Sequence, residues 1–390
     1  MKKLLVVASS LDLRAPLSST PSWWQLLKAL SEHGVELVVA PYQGPAIESP
    51  WWTAAANPCQ IEGDTVSFIK RLAPLRRGTS TEQDSVSDRL TRALVERVTK
   101  PRWRKHLFNI IEGHGDVDAV LFLTIPPNHF GGIPARIEKQ FGVPTYFYDG
   151  DVPASLPRFA GFRTGFRIYQ AANMSEYAGV FSSSKGGMQD LLRLGARNVA
   201  VLYYAADPIL LARRPVEQDF DVFFYGHGAE YREQWIARML DAPSRQLPTA
   251  RFAVRGTRLG SMPQVEQLQY ASFSKLRDYC CRSRINLLIT RQAHATVYAS
   301  STARPFELAA LGCAMVSNPY LGIEEWFEPN REVIVVQDEK QAVETYRTLL
   351  ASPSLRHELG ARARARLLAE HTYQHRSKQL LDTVAYGPRS

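Results

Sequence analysis

Apolar residues along this chain come in short unbroken runs, separated by stretches of mixed character. The runs at 4–8, 35–40, 119–123, 143–148, 180–183 and 199–203 each read as a strand buried on both faces, the mark of a parallel sheet. Residues 23–33 carry helical periodicity up to Gly34, and 186–194 read as another helix. Strand, loop, helix, strand is the order of a doubly wound α/β domain. That order restarts at 221–225. Helices are expected over 230–240, 272–281, 340–351 and 355–370, and strands over 251–254, 285–289 and 333–336. The polar segment 80–108 reads as helical, with its basic stretch 100–106 as a solvated face.

The most informative stretch runs from Arg304 through Pro329. Pro305 suits a first helical turn, where its missing N–H is not needed, and Gly312 suits the left-handed exit. Ser300, Ser301 and Thr302 precede this helix as cap residues, so its N–H groups and positive dipole end are predicted to face an anion. Glu307 lies five residues after Thr302, which is the wrong spacing for a capping box. It is either a first-turn acid that complements the dipole or a ligand for something bound in front.

Strand ends supply further candidates, because ligands of open α/β sheets collect beyond the carboxyl ends of strands. Asp149 and Asp151 flank Gly150 after one strand, and His129 follows another. A plain Asp-Gly turn and a capped loop histidine are the bland alternatives. Gly226, His227 and Gly228 read as a tight turn after the first strand of the second unit. Trp51 and Trp52, among Pro45, Pro50 and Pro58, suit either ordinary packing, an acceptor platform or a half-wet membrane-interface foot.

Composition narrows the partners. At 390 residues the chain suits two domains, and 45% hydrophobic with 22% charged residues is globular. A net charge of +9 favours an anionic partner such as a nucleoside diphosphate or acidic headgroup. No long Lys/Arg block or nucleic-acid motif is present, so nucleic acid is not expected. Cys59, Cys280, Cys281 and Cys313 show no regular spacing, as in a reduced cytoplasmic protein. The apolar start at 4–8 is interrupted by Asp12 and Arg14 and reads as a strand rather than a signal peptide. Membrane contact, if any, is expected to be peripheral. A GxGxxG fingerprint is absent, which disfavours NAD or FAD. His371 and His375 have zinc-ligand spacing, but Thr372 stands where the glutamate of HExxH belongs, so no metal is expected.

The run Arg304-Pro-Phe-Glu-Leu-Ala-Ala-Leu-Gly-Cys-Ala314, followed by a strand and Trp326-Phe-Glu-Pro-Asn-Arg-Glu332, resembles the C-terminal signature of group-1-type glycosyltransferases. The nearest branch is the one that resembles the spore-maturation protein CgeB. The resemblance is best over 221–376 and weak before that. It implies a GT-B fold of two facing Rossmann-like domains, with an acceptor-side domain over 1–207, a donor domain over 208–370, and a final helix over 371–390 returning to the first domain. It implies a hexosyltransferase that takes a nucleotide-diphospho-sugar, with no other cofactor, and retains configuration without a metal. The acceptor would be a hydroxyl-bearing glycan, lipid-linked glycan or small molecule.

By the same resemblance Glu307 would hold the ribose hydroxyls, while Gly226 and Gly228 would approach the phosphates. Independently of the resemblance, a departing diphosphate needs positioned cations and helix N–H groups, and Arg255, Arg291 and Arg304 with Ser301 and Thr302 would supply them. Asp149 and Asp151 would be the catalytic pair, with Ser10 and His129 on the acceptor side. One departure concerns the first glutamate of many relatives, eight residues before the second: here that position is Ala299, and Tyr298, Ser300 or main chain would substitute. Two other readings stay open, a nucleotide-sugar-binding protein that has lost transfer and a GT-B-fold nucleotide-sugar 2-epimerase.

Overall fold

The computed structural model describes residues 1–12, 22–61, 92–159, 168–228, 231–269 and 273–386. The first part of the segment expected to be helical over 80–108 lies outside these residues.

The apolar runs, joined by two short edge strands that the pattern did not announce, form two wholly parallel sheets. The first has the strand order β3-β2-β1-β4-β5-β6-β7. Its strands are β1 (Lys3–Ser10), β2 (Glu36–Gln43), β3 (Thr53–Ala54), β4 (Ala119–Leu123), β5 (Thr145–Asp149), β6 (Gly179–Ser182) and β7 (Val199–Val201). The second has the order β10-β9-β8-β11-β12-β13. Its strands are β8 (Phe220–His227), β9 (Phe252–Thr257), β10 (Val265–Leu268), β11 (Ser283–Leu288), β12 (Met315–Ser317) and β13 (Ile334–Val335). Both orders reverse direction beside their first strand, which leaves a crevice at the carboxyl ends. The architecture is the expected pair of Rossmann-like domains.

The helices are α1 (Ser22–Glu32), α2 (Lys100–His114), α3 (Ile133–Phe141), α4 (Met188–Arg193), α5 (Tyr231–Ile236), α6 (Ala242–Gln246), α7 (Phe273–Arg282), α8 (Gln292–Thr296), α9 (Ala303–Ala310), α10 (Glu339–Ala351), α11 (Pro353–Glu370) and α12 (Tyr373–Tyr386). The helix expected over 230–240 passes through a π turn, Ala237–Asp241, before α6. Such turns mark a residue's slip in an otherwise α-helical ladder. Helix α3 was not anticipated from the pattern, because its nine residues bury only Ile133, Pro134 and Ile137.

Two segments cross between the sheets. After β7 the chain passes Asp207, whose carboxylate meets Lys28 Nζ at 2.8 Å on α1 and whose N–H donates to Gln25 Oε1 at 2.6 Å. The return runs beside it: the Tyr373 N–H donates to the Ala206 carbonyl and the Ala206 N–H to that of His371, each at 3.3 Å. Helix α12 then lies along α1. Its Tyr373 and Leu380 complete a core that includes Leu26, Leu27 and Leu30 of α1. Arg376 fixes the junction. Although buried, its guanidinium donates to the Tyr203 carbonyl at 3.1 Å, the Glu370 carbonyl at 3.1 Å and His371 Nδ1 at 2.8 Å. His375 Nδ1 instead faces the Thr372 hydroxyl at 2.7 Å, so the two imidazoles serve different neighbours.

Trp52 is buried and donates Nε1–H to the Ile47 carbonyl at 2.9 Å. With half-buried Trp51 it packs edge-on against Trp24. The tryptophan pair is therefore mainly packing. No helix among the described residues is long and apolar enough to cross a membrane.

Candidate functional site

The organising helix of the second domain is α9. Its six residues Pro305–Ala310 are all buried, and Phe306 packs on Trp326 and Phe327 at ring distances of 5.8 and 5.7 Å. Burial of Phe306 and Leu308 contributes roughly 1.5–3 kcal/mol each. Thr302 is the N-cap residue with extended backbone, and Gly312 ends the helix with φ of +63°. A left-handed exit of that kind is cheap only for glycine. The Thr302 side chain makes no capping bond. The first-turn N–H groups of Ala303 and Arg304 therefore point out of the helix with no intrahelical acceptor.

Four side chains gather about the first two turns of α9. Glu307, the fifth residue of the helix, lies beyond its first turn, so it is not the first-turn acid that the sequence suggested. Tyr225, near the end of β8, donates its hydroxyl to Glu307 Oε2 at 2.7 Å, and both are buried. Burial and the neighbouring carboxylate push the Tyr225 phenol well above its usual range, so it remains a donor. Arg304 folds back over the Tyr225 and Phe224 rings, 4.6 and 5.0 Å from their centroids, and donates to the Ile289 carbonyl at 3.1 Å. Arg255 is buried on β9 and pairs in register with Tyr225, which places the two side chains on one face.

Gly226 and Gly228 are not a turn. Gly226 and His227 extend β8 and pair with Gly256 and Thr257 of β9. The glycines are needed because the strands close together: a Cβ on Gly256 would lie 1.7 Å from the Gly226 carbonyl oxygen, and one on Gly226 would meet Arg304 Nη2 at 2.7 Å. Gly228 has the Arg258 carbonyl in the same position, at 2.5 Å. Bare main chain therefore lines this end of the sheet.

Across the crevice the two candidate aspartates have different environments. Asp149 is fully buried and its oxygens accept from Ser155 Oγ at 2.5 Å, the Tyr169 hydroxyl at 2.6 Å and the Asp151 N–H at 2.8 Å. Burial, with the charge of Asp151, pushes its pKa up to about 6. Asp151 is half-buried and accepts from Arg291 Nη2 at 2.6 Å. Arg291 also donates Nε–H to His294 Nδ1 at 2.9 Å. Burial, then the charges of Arg291 and Arg232, hold the His294 pKa well below its usual value, so the ring is a neutral acceptor. Asp149 thus shapes the loop, and Asp151 with Arg291 spans the crevice.

Other candidates sit farther back. Ser301 is fully buried: its hydroxyl donates to the Ser183 carbonyl at 2.9 Å and accepts from the Tyr204 N–H at 3.0 Å, so it faces the first domain. His129 Nδ1 is hydrogen-bonded to the Tyr42 hydroxyl. Ser10 Oγ accepts from the Asp12 N–H at 3.3 Å.

Ala299 is buried with φ of +47°, and Gly322 presses on it so closely that a Cβ there would lie 2.2 Å from the Ala299 nitrogen. The groups expected to substitute for a glutamate at this position are engaged. Tyr298 donates to Glu325 at 2.7 Å and Ser300 Oγ donates to the Val297 carbonyl at 2.8 Å. Tyr225 and His294 face the same crevice and were not anticipated as site residues. Tyr225 had one available signal, its place just before Gly226 at the end of a strand.

Residues 232–382 match the family model described as Glycosyl transferase-like. No curated protein matches the chain. Among solved structures, the sucrose-phosphate synthase of Thermosynechococcus elongatus superposes with a TM-score of 0.65 at 14% identity, covering 99% of this chain and 98% of that one. The Anabaena protein HepE in complex with UDP gives 0.61 at 12%, covering 99% and 100%. An E. coli trehalose-6-phosphate structure bound with UDP-2-fluoro glucose gives 0.65 at 11%, covering 99% of both chains. At such identities these likenesses concern the fold, which is GT-B.

Proposed function

We propose that this chain is a glycosyltransferase of the group-1 type, in the CgeB-like branch, moving a hexose from a nucleotide-diphospho-sugar to a hydroxyl-bearing acceptor. The observation that carries this reading is the buried Tyr225–Glu307 pair in the second turn of α9, with Arg304 in the first turn and Arg255 in register with Tyr225. A carboxylate fixed by a neighbouring phenol suits a vicinal diol, and arginines with helix N–H groups that have no intrahelical acceptor suit a diphosphate. The match of residues 232–382 to a glycosyl transferase-like family supports it, as do structural neighbours bound with UDP and UDP-2-fluoro glucose.

In this reading Glu307 accepts from the ribose hydroxyls, with Tyr225 fixing its oxygens. Arg304, Arg255 and the N–H groups after Thr302 bind the diphosphate. Arg291 stabilises the charge that grows as the C1–O bond to the leaving phosphate breaks. The acceptor oxygen bonds C1 on the same face, so configuration is retained, and its proton passes to the departing phosphate oxygen. The cation supply comes from arginine, so no metal is required. Asp151 orients the acceptor hydroxyl, while Asp149 holds the Asp151 main chain. The acceptor is a glycan, a lipid-linked glycan or a small molecule.

A panel of UDP, GDP, ADP and dTDP, each alone and as sugar conjugates, tests the donor site by thermal shift. Ligand at a hundred times Kd stabilises by about 2.7 kcal/mol. One nucleotide is expected to shift the native chain and not Glu307→Ala. No shift with any of them overturns the donor assignment. The buried Ala299, where no side chain reaches the cleft, favours a second reading in which the nucleotide-sugar is bound and not transferred. Release of nucleoside diphosphate only in the presence of an acceptor panel excludes it.

A further inference from the structure

The first and second domains share a short ladder of main chain. Beyond β6, Ser184 pairs antiparallel with Ser300, two residues before the N-cap of α9. The Ser301 N–H donates to the Ser183 carbonyl at 2.9 Å, the Lys185 N–H to that of Ala299 at 3.1 Å, and the Gly186 N–H to that of Tyr298 at 2.9 Å. Side chains thicken it. Ser300 gives its one hydroxyl proton to Val297, so Ser184 Oγ is the donor in the 2.7 Å contact between the two hydroxyls. The Tyr320 hydroxyl holds the Ser300 carbonyl at 2.5 Å, and outside the ladder Lys185 Nζ meets Glu325 at 2.9 Å. Ser183, Ser184, Ser300 and Ser301 are fully buried, so water does not compete for these bonds.

Gly186 is what lets the two main chains meet. A Cβ there would lie 2.9 Å from Val297 Cγ1 and 3.0 Å from both the nitrogen and the oxygen of Tyr298. The paired crossings at Ala206 and Thr372 are a second, separate fastening between the sheets. Two fastenings at different places fix an orientation that one alone would leave free to turn. The segment 297–302 that leads into α9 is therefore held by the first domain and not by its own domain alone.

We infer that Gly186, in the first domain, is a positioning residue for the ligand site of the second: through Ser300 and Ser301 it sets where the N-terminus of α9 points. This rests on the proposed donor role of that helix end. The test does not depend wholly on it.

Hydrogen exchange is measured on the ligand-free native chain, on Gly186→Ala and on Gly186→Ala/Val297→Ala, which removes the nearest obstructing methyl. Exchange at Ala303 and Arg304 is expected to accelerate in the single variant and to return towards native in the double. The nucleoside diphosphate that most stabilises the native chain among UDP, GDP, ADP and dTDP is then titrated into all three. Its Kd is expected to rise on the order of tenfold in the single variant and to recover in the double. Ser301→Ala, which deletes one hydroxyl, gives the same direction should Gly186→Ala fail to fold. Unchanged exchange at α9, or altered exchange with an unchanged Kd, overturns the inference. A native chain that binds none of the four nucleotides overturns the donor reading instead, and the exchange data alone then decide whether the first domain holds α9.

Discussion

Arg291 Nη2 donates to Asp151 Oδ1 at 2.6 Å, and this single ion pair joins the carboxyl end of β11 to that of β5. It is partly buried, so its strength lies between that of exposed pairs and fully desolvated ones. A double-mutant cycle of Asp151→Asn and Arg291→Gln is expected to show a coupling of about 1–2 kcal/mol in denaturant unfolding. If Arg291 is shared between Asp151 and a bound diphosphate, Asp151→Asn also tightens nucleoside diphosphate binding several-fold while slowing transfer. Equal affinity in both chains would mean that Arg291 does not reach the ligand.

The Tyr225 hydroxyl on Glu307 is a buried, charge-assisted hydrogen bond. Tyr225→Phe removes the donor and keeps the ring under Arg304. The expected loss is about 1.5–3 kcal/mol of nucleotide binding, roughly ten- to a hundredfold in Kd, read by calorimetry. A Kd within twofold of native contradicts the role assigned to this pair.

Asp149 gives the chain a pH-dependent stability of unusual sign. Its folded pKa, about 6, lies above the unfolded value of roughly 4, so in that window the native state holds the proton more tightly than the unfolded state. Its contribution is fully present below pH 4, declines as pH rises through about 6, and is flat above; the span is about 2–3 kcal/mol. Asp149→Asn cannot titrate. The difference between the Tm–pH curves of the two chains should therefore slope between pH 4 and 7, and parallel curves would show that Asp149 ionises without cost.

Arg376 ties α12 to the crossing segment through three acceptors on Tyr203, Glu370 and His371. Lysine carries its charge on one nitrogen and cannot reproduce the fork. Arg376→Lys is expected to cost about 2–4 kcal/mol in urea unfolding and to speed proteolytic release of α12. Native-like resistance of that helix would place its anchoring elsewhere.

Most strands were legible because parallel strands buried on both faces leave continuous apolar runs. The edge strands β3 and β10 leave none, the first being two residues long and the second exposing Glu266 and Gln267. The limits of α9 were legible from the fixed φ of Pro305 and the left-handed freedom of Gly312, both of which act locally. Glycine near β8 misled for a related reason. In sequence Gly226 and Gly228 look like a turn, but they are required by the approach of β9, which no local pattern records. The Asp149-Gly150-Asp151 triplet marked a strand end correctly, yet which carboxylate is buried depends on Tyr169, twenty residues further on. The ladder at Ser184 and Ser300 was invisible for the same cause, since its two halves lie 116 positions apart in different domains.

The return of α12 to α1 has a consequence for how the chain is made. Tyr373 and Leu380 complete a core begun by Leu26, Leu27 and Leu30, so the first sheet lacks part of its cover until the second sheet has been synthesised. Roughly 170 residues separate β7 from α12, on the order of 10–30 s of translation. The second domain can fold within that time while α1 waits on the ribosome with an apolar face uncovered. An apolar face left uncovered for that interval is open to association with other chains.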